Sequence, residues 1–515
     1  MAERLLLPTL DGYQTRWLRN DLVAGIAAGA VVIPQAMAYA TIANLPVEVG
    51  LYTCILPLLV YALLGGSRAM SVTTTSTIAT LTATTMVTAG VADSPAELVT
   101  LTLLVGVILV IARLAKLGSL VENINEATMV GLKVGLGATV ALGQVPKLLG
   151  VQTNVSGHGF FHTLVATIEA VPQTNPATLA LSTATIATLI LLARVAPRVP
   201  GQLVVVAGGI MIAALTTVGI DVVGEVPTGF AAPLLPAVDH IPELVPGALA
   251  IAMMAFLESA SVARSIRRRD EPQIDSNREL FATGAANVVG SFFGTLPSAG
   301  GFSQSAVNQR AGARTQLASI VTATLAILVA LFLAPILANL PEATLASMVI
   351  VAVVGLIDVR GVLRFWRASR VEFWICIITA AIGLAAGLLP AVAAGVVLTL
   401  GLVLHAINQP RFSSTIEGDT LTVRLDASLY TANVRGTRQA IDDILDTNAH
   451  VTRLVLDVTA VTATSLTVLD ALADFDHELS ARAIQFDIVG LAGAPLVMAQ
   501  KTVWWQSRTA TPPAR

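Results

Sequence analysis

The chain has 515 residues, of which 55% are hydrophobic and 12% are charged. A soluble globular protein carries about 25% charged residues, and a single soluble domain rarely exceeds about 250–300 residues. These values exclude an ordinary soluble enzyme, and the net charge of −3 excludes the basic excess of a nucleic-acid binder. The mean hydropathy of +0.77 instead indicates a membrane protein.

Apolar runs recur along most of the chain, and one membrane-crossing helix requires about 20 residues. We predict an N-terminal segment over 1–20 and a transmembrane domain over 21–410. The predicted spans are 22–43, 49–65, 71–89, 97–115, 126–148, 177–194, 201–220, 246–264, 280–296, 301–310, 315–338, 343–359, 372–389 and 391–408. Several of them are short or contain Pro or Gly, so they cannot all be straight helices.

Arginines precede the first predicted span and follow every even-numbered one, most densely between Arg264 and Arg269. The loops between them carry acidic residues, such as Glu48 and Asp221. Cytoplasmic loops of membrane proteins are the ones rich in Lys and Arg. The pattern predicts a multi-pass protein of the cell (inner) membrane, in contact with membrane lipid, with both termini in the cytoplasm.

The end of the chain has a different composition. Residues from 412 onward hold 20 of the 63 charged side chains. Short β-rich runs occur there at 421–426, 453–458 and 484–490, and helix-like stretches alternate with them. Alternating strands and helices form a sheet covered by helices. We therefore predict a small cytoplasmic α/β domain over 411–506, followed by a disordered tail over 507–515.

Two polar segments interrupt the apolar runs, SVTTTSTIAT (71–80) and LPSAGGFSQSAVNQ (296–309). The first lies at span 3 of spans 1–7, and the second lies at span 10, which is the third of spans 8–14. Matching positions of this kind are expected for inverted repeats with discontinuous helices. If each begins a half-helix near the midplane, two helix N-termini meet and favour an anion. The alternative is that their hydroxyls pack helices or bond back to carbonyls. The symmetric placement favours the anion site.

Glu258 is the carboxylate that lies clearly inside a predicted span. An ionisable group within the membrane is costly and indicates a function. It could carry a proton, or coordinate Na⁺ together with a hydroxyl such as that of Ser261. The alternative is an ion pair with the arginines between Arg264 and Arg269. Na⁺ could therefore be bound here, with H⁺ as the alternative coupling ion, and no cofactor is predicted.

The first span contains a polar stripe. Gln35 brings an amide that is costly in lipid unless it forms hydrogen bonds, and Tyr39 lies four residues later on the same helix face. These side chains could line a pocket. The alternative is that Pro34 simply kinks the helix, and the segment alone does not decide between them.

Three long segments carry a specific resemblance, DLVAGIAAGAVVIPQAMAYATIANLPVEVGLY (21–52), NRELFATGAANVVGSFFG (277–294) and GFSQSAVNQRAGARTQL (301–317). They resemble the SulP family of sulfate permeases and anion transporters, and the predicted α/β domain resembles the STAS domain of such proteins. The resemblance implies fourteen segments in two inverted repeats of seven, a core domain that moves against a gate domain, and homodimers. It also implies an anion site between the N-termini of segments 3 and 10.

The resemblance also implies roles for single residues. Glu258 matches an acidic position in segment 8 that is associated with cation coupling. The implied substrate-binding positions lie in segments 1, 3 and 10, at Gln35, Tyr39, Thr75, Ser76, Phe302, Ser303 and Gln304.

The chain departs from the family pattern at three places. Thr73 and Thr74 replace a frequent Gly-Pro, and Gln304 replaces a frequent Arg. Without that Arg, binding of a divalent anion such as sulfate is weaker unless helix dipoles or coupled cations compensate. In the STAS-like part, Thr464-Ser465 replaces a frequent Asp-Ser. Ser465 is then expected to cap a helix, and it is the candidate regulatory phosphorylation site.

These observations leave two classes of function. The first is a transporter of a small anion (sulfate, bicarbonate, chloride or a dicarboxylate) coupled to H⁺ or Na⁺. The second is a passive anion channel, or a sensor that signals through the STAS domain. Discontinuous helices and a membrane carboxylate favour the transporter. An enzyme is not expected, because no nucleophile–base pair or metal-binding motif is visible.

Overall fold

The computed structural model describes residues 6–92, 94–116, 118, 126–152, 160–196, 199–215, 219–229, 232–269, 271–354, 358–386 and 388–510. The chain divides into two compact units, Met1–Val396 and Val397–Arg515. The first unit is helical, and the second contains a four-stranded sheet.

The first unit follows the predicted spans, each of which overlaps a helix among the described residues. Its helices and strands are α1 (Leu18–Ile42), α2 (Val47–Thr53), α3 (Leu56–Leu64), β1 (Val72–Thr73), α4 (Ser76–Thr88), α5 (Pro95–Leu114), α6 (Glu126–Leu149), α7 (Phe160–Ala170), α8 (Pro176–Val195), α9 (Gly201–Leu215), α10 (Ile241–Ser265), α11 (Ser276–Ser291), β2 (Ala299–Gly300), α12 (Phe302–Arg310), α13 (Leu317–Leu328), α14 (Ala334–Leu337), α15 (Glu342–Val354), α16 (Val359–Ala368) and α17 (Arg370–Ala385). Helix α18 (Leu388–Asn408) begins in the first unit and ends in the second.

Eight helical stretches in the described part of the chain are long and apolar enough to cross a membrane. The other predicted spans are shorter or broken, as their Pro and Gly residues indicated. Helices α7 and α16 were not predicted. Both are short and amphipathic, so neither has the continuous apolar run that identifies a span.

The helices of the first unit pack in two sets, which agree with the expected core and gate. In the core set, α5 packs against α11, α1 against α13, and α10 against α4 and α5. In the gate set, α6 packs against α15 and α17, and α8 against α9 and α15. The two sets meet where α1 contacts α15 and where α4 contacts α6.

Helix α2 packs directly against the backbone of α1. Gly50 faces the peptide between Ala36 and Met37, and a Cβ atom on Gly50 would lie 2.8 Å from the Met37 nitrogen. Close backbone approach at small residues is the usual way in which membrane helices pack. This contact holds the middle of α1, where Gln35 and Tyr39 lie.

Two of the predicted spans are half-helices. Helix α4 has 13 residues and α12 has 9, which at 1.5 Å per residue gives lengths of about 20 Å and about 14 Å. Neither reaches across a hydrocarbon core of about 30 Å. Each follows a two-residue strand, and β1 and β2 pair antiparallel, with Val72 opposite Gly300 and Thr73 opposite Ala299. The two polar segments therefore lie side by side, as the sequence predicts.

The second unit has the predicted α/β pattern. Its strands β3 to β6 lie in chain order across one sheet, with β3 antiparallel to β4 and the other pairs parallel. Its elements are β3 (Phe412–Glu417), β4 (Thr420–Leu425), α19 (Val434–Thr447), β5 (Arg453–Asp457), α20 (Leu466–Ala481), β6 (Gln485–Val489), α21 (Gly493–Ala499) and α22 (Val503–Ala510).

Two features of this unit differ from the prediction. Strand β3 was missed because it is an exposed edge strand of mostly polar residues without apolar alternation. Helix α22 extends into the segment expected to be disordered, because Arg508 donates to Asp476 at 2.6 Å and to the carbonyl oxygen of Phe486. Residues 511–515 lie outside the described part of the chain.

Ser465 precedes α20, and its Oγ accepts a hydrogen bond from the Val468 amide at 3.4 Å. We expect Ser465→Ala to lower the local stability of α20 by about 1 kcal/mol, the usual cost of losing an N-cap. Amide hydrogen exchange in the full chain should then be about fivefold faster in the first turns of α20. Ser465→Asp, which keeps a capping oxygen, should preserve the parent rate, and equal rates in all three proteins would contradict the prediction.

Candidate functional site

The half-helices α4 and α12 are joined where they begin. Gln304 in the first turn of α12 donates from Nε2 to the Thr74 carbonyl oxygen at 3.3 Å. The Gly301 amide donates to the Ser71 carbonyl at 3.1 Å, and the Ser71 amide donates to Ser305 Oγ at 2.9 Å. Together with the β1–β2 pair, these bonds hold the start of one half-helix against the other.

The two helix starts are capped differently. Thr75 caps α4, and its Oγ1 accepts from the Ile78 amide at 3.3 Å. The capping residue of α12 is Gly301, which has no side chain to accept from the first amides. The first N–H groups of a helix have no partner within that helix. The start of α12 therefore offers N–H donors and the positive end of a helix dipole.

Gln35 and Tyr39 of α1 lie beside these helix starts. The Gln35 Nε2 atom donates to the Tyr39 hydroxyl at 2.6 Å and to Ser303 Oγ at 3.2 Å. The Tyr39 hydroxyl also interacts with Ser76 at the start of α4. Gln35 and Tyr39 are buried, whereas Ser303 is exposed. One chain of polar contacts thus runs from α12 through α1 to α4.

Glu258 joins the same cluster from α10. Its Oε2 accepts from Thr75 Oγ1 at 2.9 Å, and Thr77 also interacts with the carboxylate. The residue is 5% exposed. Of the alternative partners in the arginine cluster, Arg264 donates to Ser276 Oγ at 2.7 Å and Arg268 donates to the Ala313 carbonyl oxygen at 3.0 Å. The Glu258 carboxylate therefore contacts the start of α4 rather than the arginine cluster.

Ser261 does not join Glu258 as expected. Its side chain is exposed, although it lies only three residues further along α10. The hydroxyls that surround the carboxylate come from α4 instead. The neighbouring Ser259 has another role, because its Oγ accepts from the Gly300 amide at 2.9 Å and ties α10 to β2.

Other buried carboxylates differ from Glu258 in position. Asp21, Glu97 and Glu279 each lie in the first turn of their helices, where backbone amides favour negative charge. Asp21 accepts from the Thr315 hydroxyl at 2.7 Å, and Glu279 accepts from the Tyr61 hydroxyl at 2.7 Å. Glu97 lies 2.8 Å from a ring nitrogen of His240. These carboxylates hold helix ends together, whereas Glu258 lies late in α10 against another helix start.

Lys133 is a site residue that the sequence interpretation missed. It lies on α6 of the gate set, and its Nζ is 5.1 Å from the ring centre of Phe302. The lysine is also close enough to act electrostatically on Glu258. Phe302 is 40% exposed, so its ring is not locked in the core. The signal was available, because Lys133 is an ionisable residue within the predicted span 126–148.

Two buried polar atoms of the site have no hydrogen-bond partner among the described residues, Gln304 Oε1 and Thr74 Oγ1. Gln304 is 1% exposed and Thr74 is fully buried. Unpaired buried polar atoms cost free energy, and a bound ion or water is one explanation for them. The site therefore combines amide donors that suit an anion with carboxylate and hydroxyl oxygens that suit a proton or Na⁺.

Comparison with protein families identifies both parts of the chain. The model of the sulfate permease family matches residues 18–379, and that of the STAS domain matches residues 411–503. A probable sulfate transporter of Mycobacterium tuberculosis is 32% identical over 502 residues, which cover 92% of this chain and 89% of that protein. Sulfate transporter 4.1, chloroplastic, of Arabidopsis thaliana is 29% identical, with 92% and 76% covered.

Solved structures show the same fold. The murine anion transporter Solute Carrier 26 family member A9, in the inward-facing state, matches with a TM-score of 0.89 at 22% identity and covers 97% of this chain and 90% of its own. The transmembrane domain of a cyanobacterium bicarbonate transporter matches with a TM-score of 0.64 at 24% identity, with 74% and 98% covered. With its apolar helices, the chain is a multi-pass membrane protein. It belongs to the sulfate permease family and carries a C-terminal STAS domain.

Proposed function

We propose that this protein is a secondary active transporter that moves a small anion across the membrane by alternating access, with sulfate as the first candidate. The observation that carries the proposal is the β1–β2 pair, which joins the starts of two half-helices beside Gln35 and Ser303. Helix N-termini bind anions through free amides and the helix dipole. Such a pocket at a break in two helices is typical of transporters.

Sulfate is the first candidate because relatives from distant organisms carry it in their names. These include the Mycobacterium and Arabidopsis proteins and a sodium-independent sulfate anion transporter of Bos taurus, which is 27% identical over 94% of this chain. Bicarbonate and small dicarboxylates are the competitors, since helix N-termini accept any compact oxyanion.

We propose that Glu258 carries the coupling ion, H⁺ or Na⁺. An ionised carboxylate beside the anion pocket opposes the entry of a second negative charge. A proton on Glu258, or Na⁺ held by Glu258 with the Thr75 and Thr77 hydroxyls, removes this opposition. The anion and the cation would then bind together and cross the membrane together, which is symport.

The membrane orientation is part of the same proposal. The arginine-rich loops lie on the cytoplasmic face of the cell membrane, with both termini and the STAS domain on that side. The working unit is a homodimer, in which each protomer carries its own pocket.

The test is uptake of labelled anions by the purified full chain in proteoliposomes. Sulfate, bicarbonate, chloride and succinate compete at two pH values, with an imposed proton gradient, an imposed sodium gradient or none. We expect saturable uptake of one anion class and acceleration by one of the two gradients. The gradient that accelerates uptake identifies the coupling ion.

Two outcomes would favour the other classes of function. Unitary ionic currents, with a flux indifferent to both gradients, would indicate a passive anion channel. Full function in cells from the STAS domain alone would indicate a sensor. Either outcome would overturn the transporter proposal.

A further inference from the structure

We propose that Lys133 is a substrate-binding residue, which supplies from the gate set the positive charge that the starts of α4 and α12 lack for a divalent anion. The inference rests on the proposed function and names the group that selects the charge of the substrate. It concerns the ammonium of Lys133 on α6 and the ring of Phe302 on α12, which contact each other.

The geometry places the ammonium at the start of α12. Lys133 Nζ lies 5.1 Å from the centre of the Phe302 ring, and Phe302 is the first residue of α12. A cation within about 6 Å of an aromatic ring is attracted to its face. This contact holds the ammonium against the side chain of Phe302, whose own amide is the first of those that follow the uncapped Gly301. An anion bound to those amides would lie within reach of the lysine.

The ammonium has unused hydrogen-bonding capacity. Within the described part of the chain, no hydrogen-bond acceptor and no carboxylate within 4.0 Å pairs with Lys133; its contacts are the Phe302 ring and a longer-range interaction with Glu258. A lysine with a purely structural role inside a span would be paired, because an unpaired charge there is costly. The starts of α4 and α12 also hold two buried polar atoms without partners among the described residues, Gln304 Oε1 and Thr74 Oγ1, of which the Thr74 hydroxyl can donate to an anion.

The charges of the pocket explain why a lysine is required. Each helix start contributes about half a positive charge, so two starts together balance one negative charge and no more. Glu258 subtracts one charge when it is ionised, and Gln304 is neutral. With Lys133, the positive groups match two negative charges once Glu258 is neutralised. The lysine therefore favours a divalent anion over a monovalent one.

The experiment compares charge-matched variants of the full chain in proteoliposomes, with sulfate and chloride as probes. Lys133→Gln should raise the half-saturating sulfate concentration by at least about tenfold, as expected for the loss of one charged hydrogen-bond donor. Lys133→Arg should stay within about threefold of the parent, because it keeps the charge and the contact with the ring. The matched control is Lys147→Gln on the same helix. The Lys147 Nζ atom lies 4.0 Å from Glu342 Oε2, away from the proposed anion site.

A chemical rescue separates charge from folding. Lys133→Cys removes the ammonium, and an aminoethyl methanethiosulfonate reagent then restores a positive charge on the already folded protein. The native Cys54 and Cys376 are buried and so are shielded from the reagent. We expect the cationic reagent to recover the sulfate affinity, and a neutral methanethiosulfonate of similar size to leave it low.

The outcomes distinguish this inference from the proposed function. If the parent transports sulfate and Lys133→Gln matches both the parent and Lys147→Gln, the inference is wrong and the transporter proposal stands. If Lys133→Gln is misfolded, the rescue decides, and equal effects of the two reagents overturn the inference. If the parent moves no anion of the panel, the proposed function fails and the role of Lys133 fails with it.

Discussion

Glu258→Gln is expected to uncouple uptake from the driving gradient. Gln has nearly the same shape and can still accept the hydrogen bond from Thr75 Oγ1, which is 2.9 Å long in the parent. It cannot ionise, so it neither takes up a proton nor offers a charge to Na⁺. Anion exchange under equal concentrations should continue, whereas acceleration by the gradient should fall at least about fivefold, the lower end of typical coupling between two sites.

The control for this variant is Glu243→Gln. Glu243 lies in the first turn of the same helix, α10, with an exposed side chain, so the substitution makes the same change in charge away from the pocket. We expect it to behave as the parent in both assays. Uptake by Glu258→Gln that still follows an imposed proton or sodium gradient as the parent does would show that coupling does not depend on this residue.

Gly50→Ala should be the most damaging Gly→Ala change among the glycines that the structure describes in the first unit. The added Cβ would lie 2.5 Å from the Ala36 carbonyl carbon and 2.8 Å from the Met37 nitrogen. Both are backbone atoms, so they cannot rotate away, and α1 must separate from α2. Overpacking of this kind costs about 1–3 kcal/mol or more. Because Gln35 and Tyr39 flank the contact, anion affinity should fall together with the thermal unfolding temperature.

Gly208→Ala is the matched control. Gly208 lies within α9, and nothing lies within 4 Å of a Cβ atom placed on it. The same substitution there should leave uptake unchanged and should leave stability equal or slightly higher, since Ala favours a helix by about 1 kcal/mol over Gly. Thermal unfolding of the purified chains in detergent would make the comparison. Equal unfolding temperatures for the two variants would contradict the packing argument at Gly50.

Much of the fold could be predicted because its signals are local. Apolar runs of sufficient length locate the helices that cross the membrane. The STAS domain is recognisable from its alternating strands and helices. The pairing of 71–80 with 296–309 could be inferred because both segments are polar where the surroundings are apolar. Backbone at that depth must find partners within the protein, and each segment is the partner of the other.

The missed features depend on contacts between distant parts of the chain. The sequence shows Lys133 only as an ionisable residue within a predicted span, and its partner Phe302 becomes visible in the fold, where the Lys133 Nζ atom lies 5.1 Å from the ring centre. Ser261 was expected beside Glu258 on sequence spacing alone, but the hydroxyls of Thr75 and Thr77 approach from another helix. A spacing of three residues on one helix does not ensure contact when a neighbouring helix supplies a better partner.

The β1–β2 pair has a mechanical consequence. Its two residue pairs and the bonds around them tie the beginnings of α4 and α12 into one block. A displacement of one half-helix must therefore move the other, so the anion site cannot open by separation of α4 from α12. If the protein works by alternating access, as proposed, the two half-helices would move as one rigid body, and access to the anion would change as this body slides against the surrounding helices.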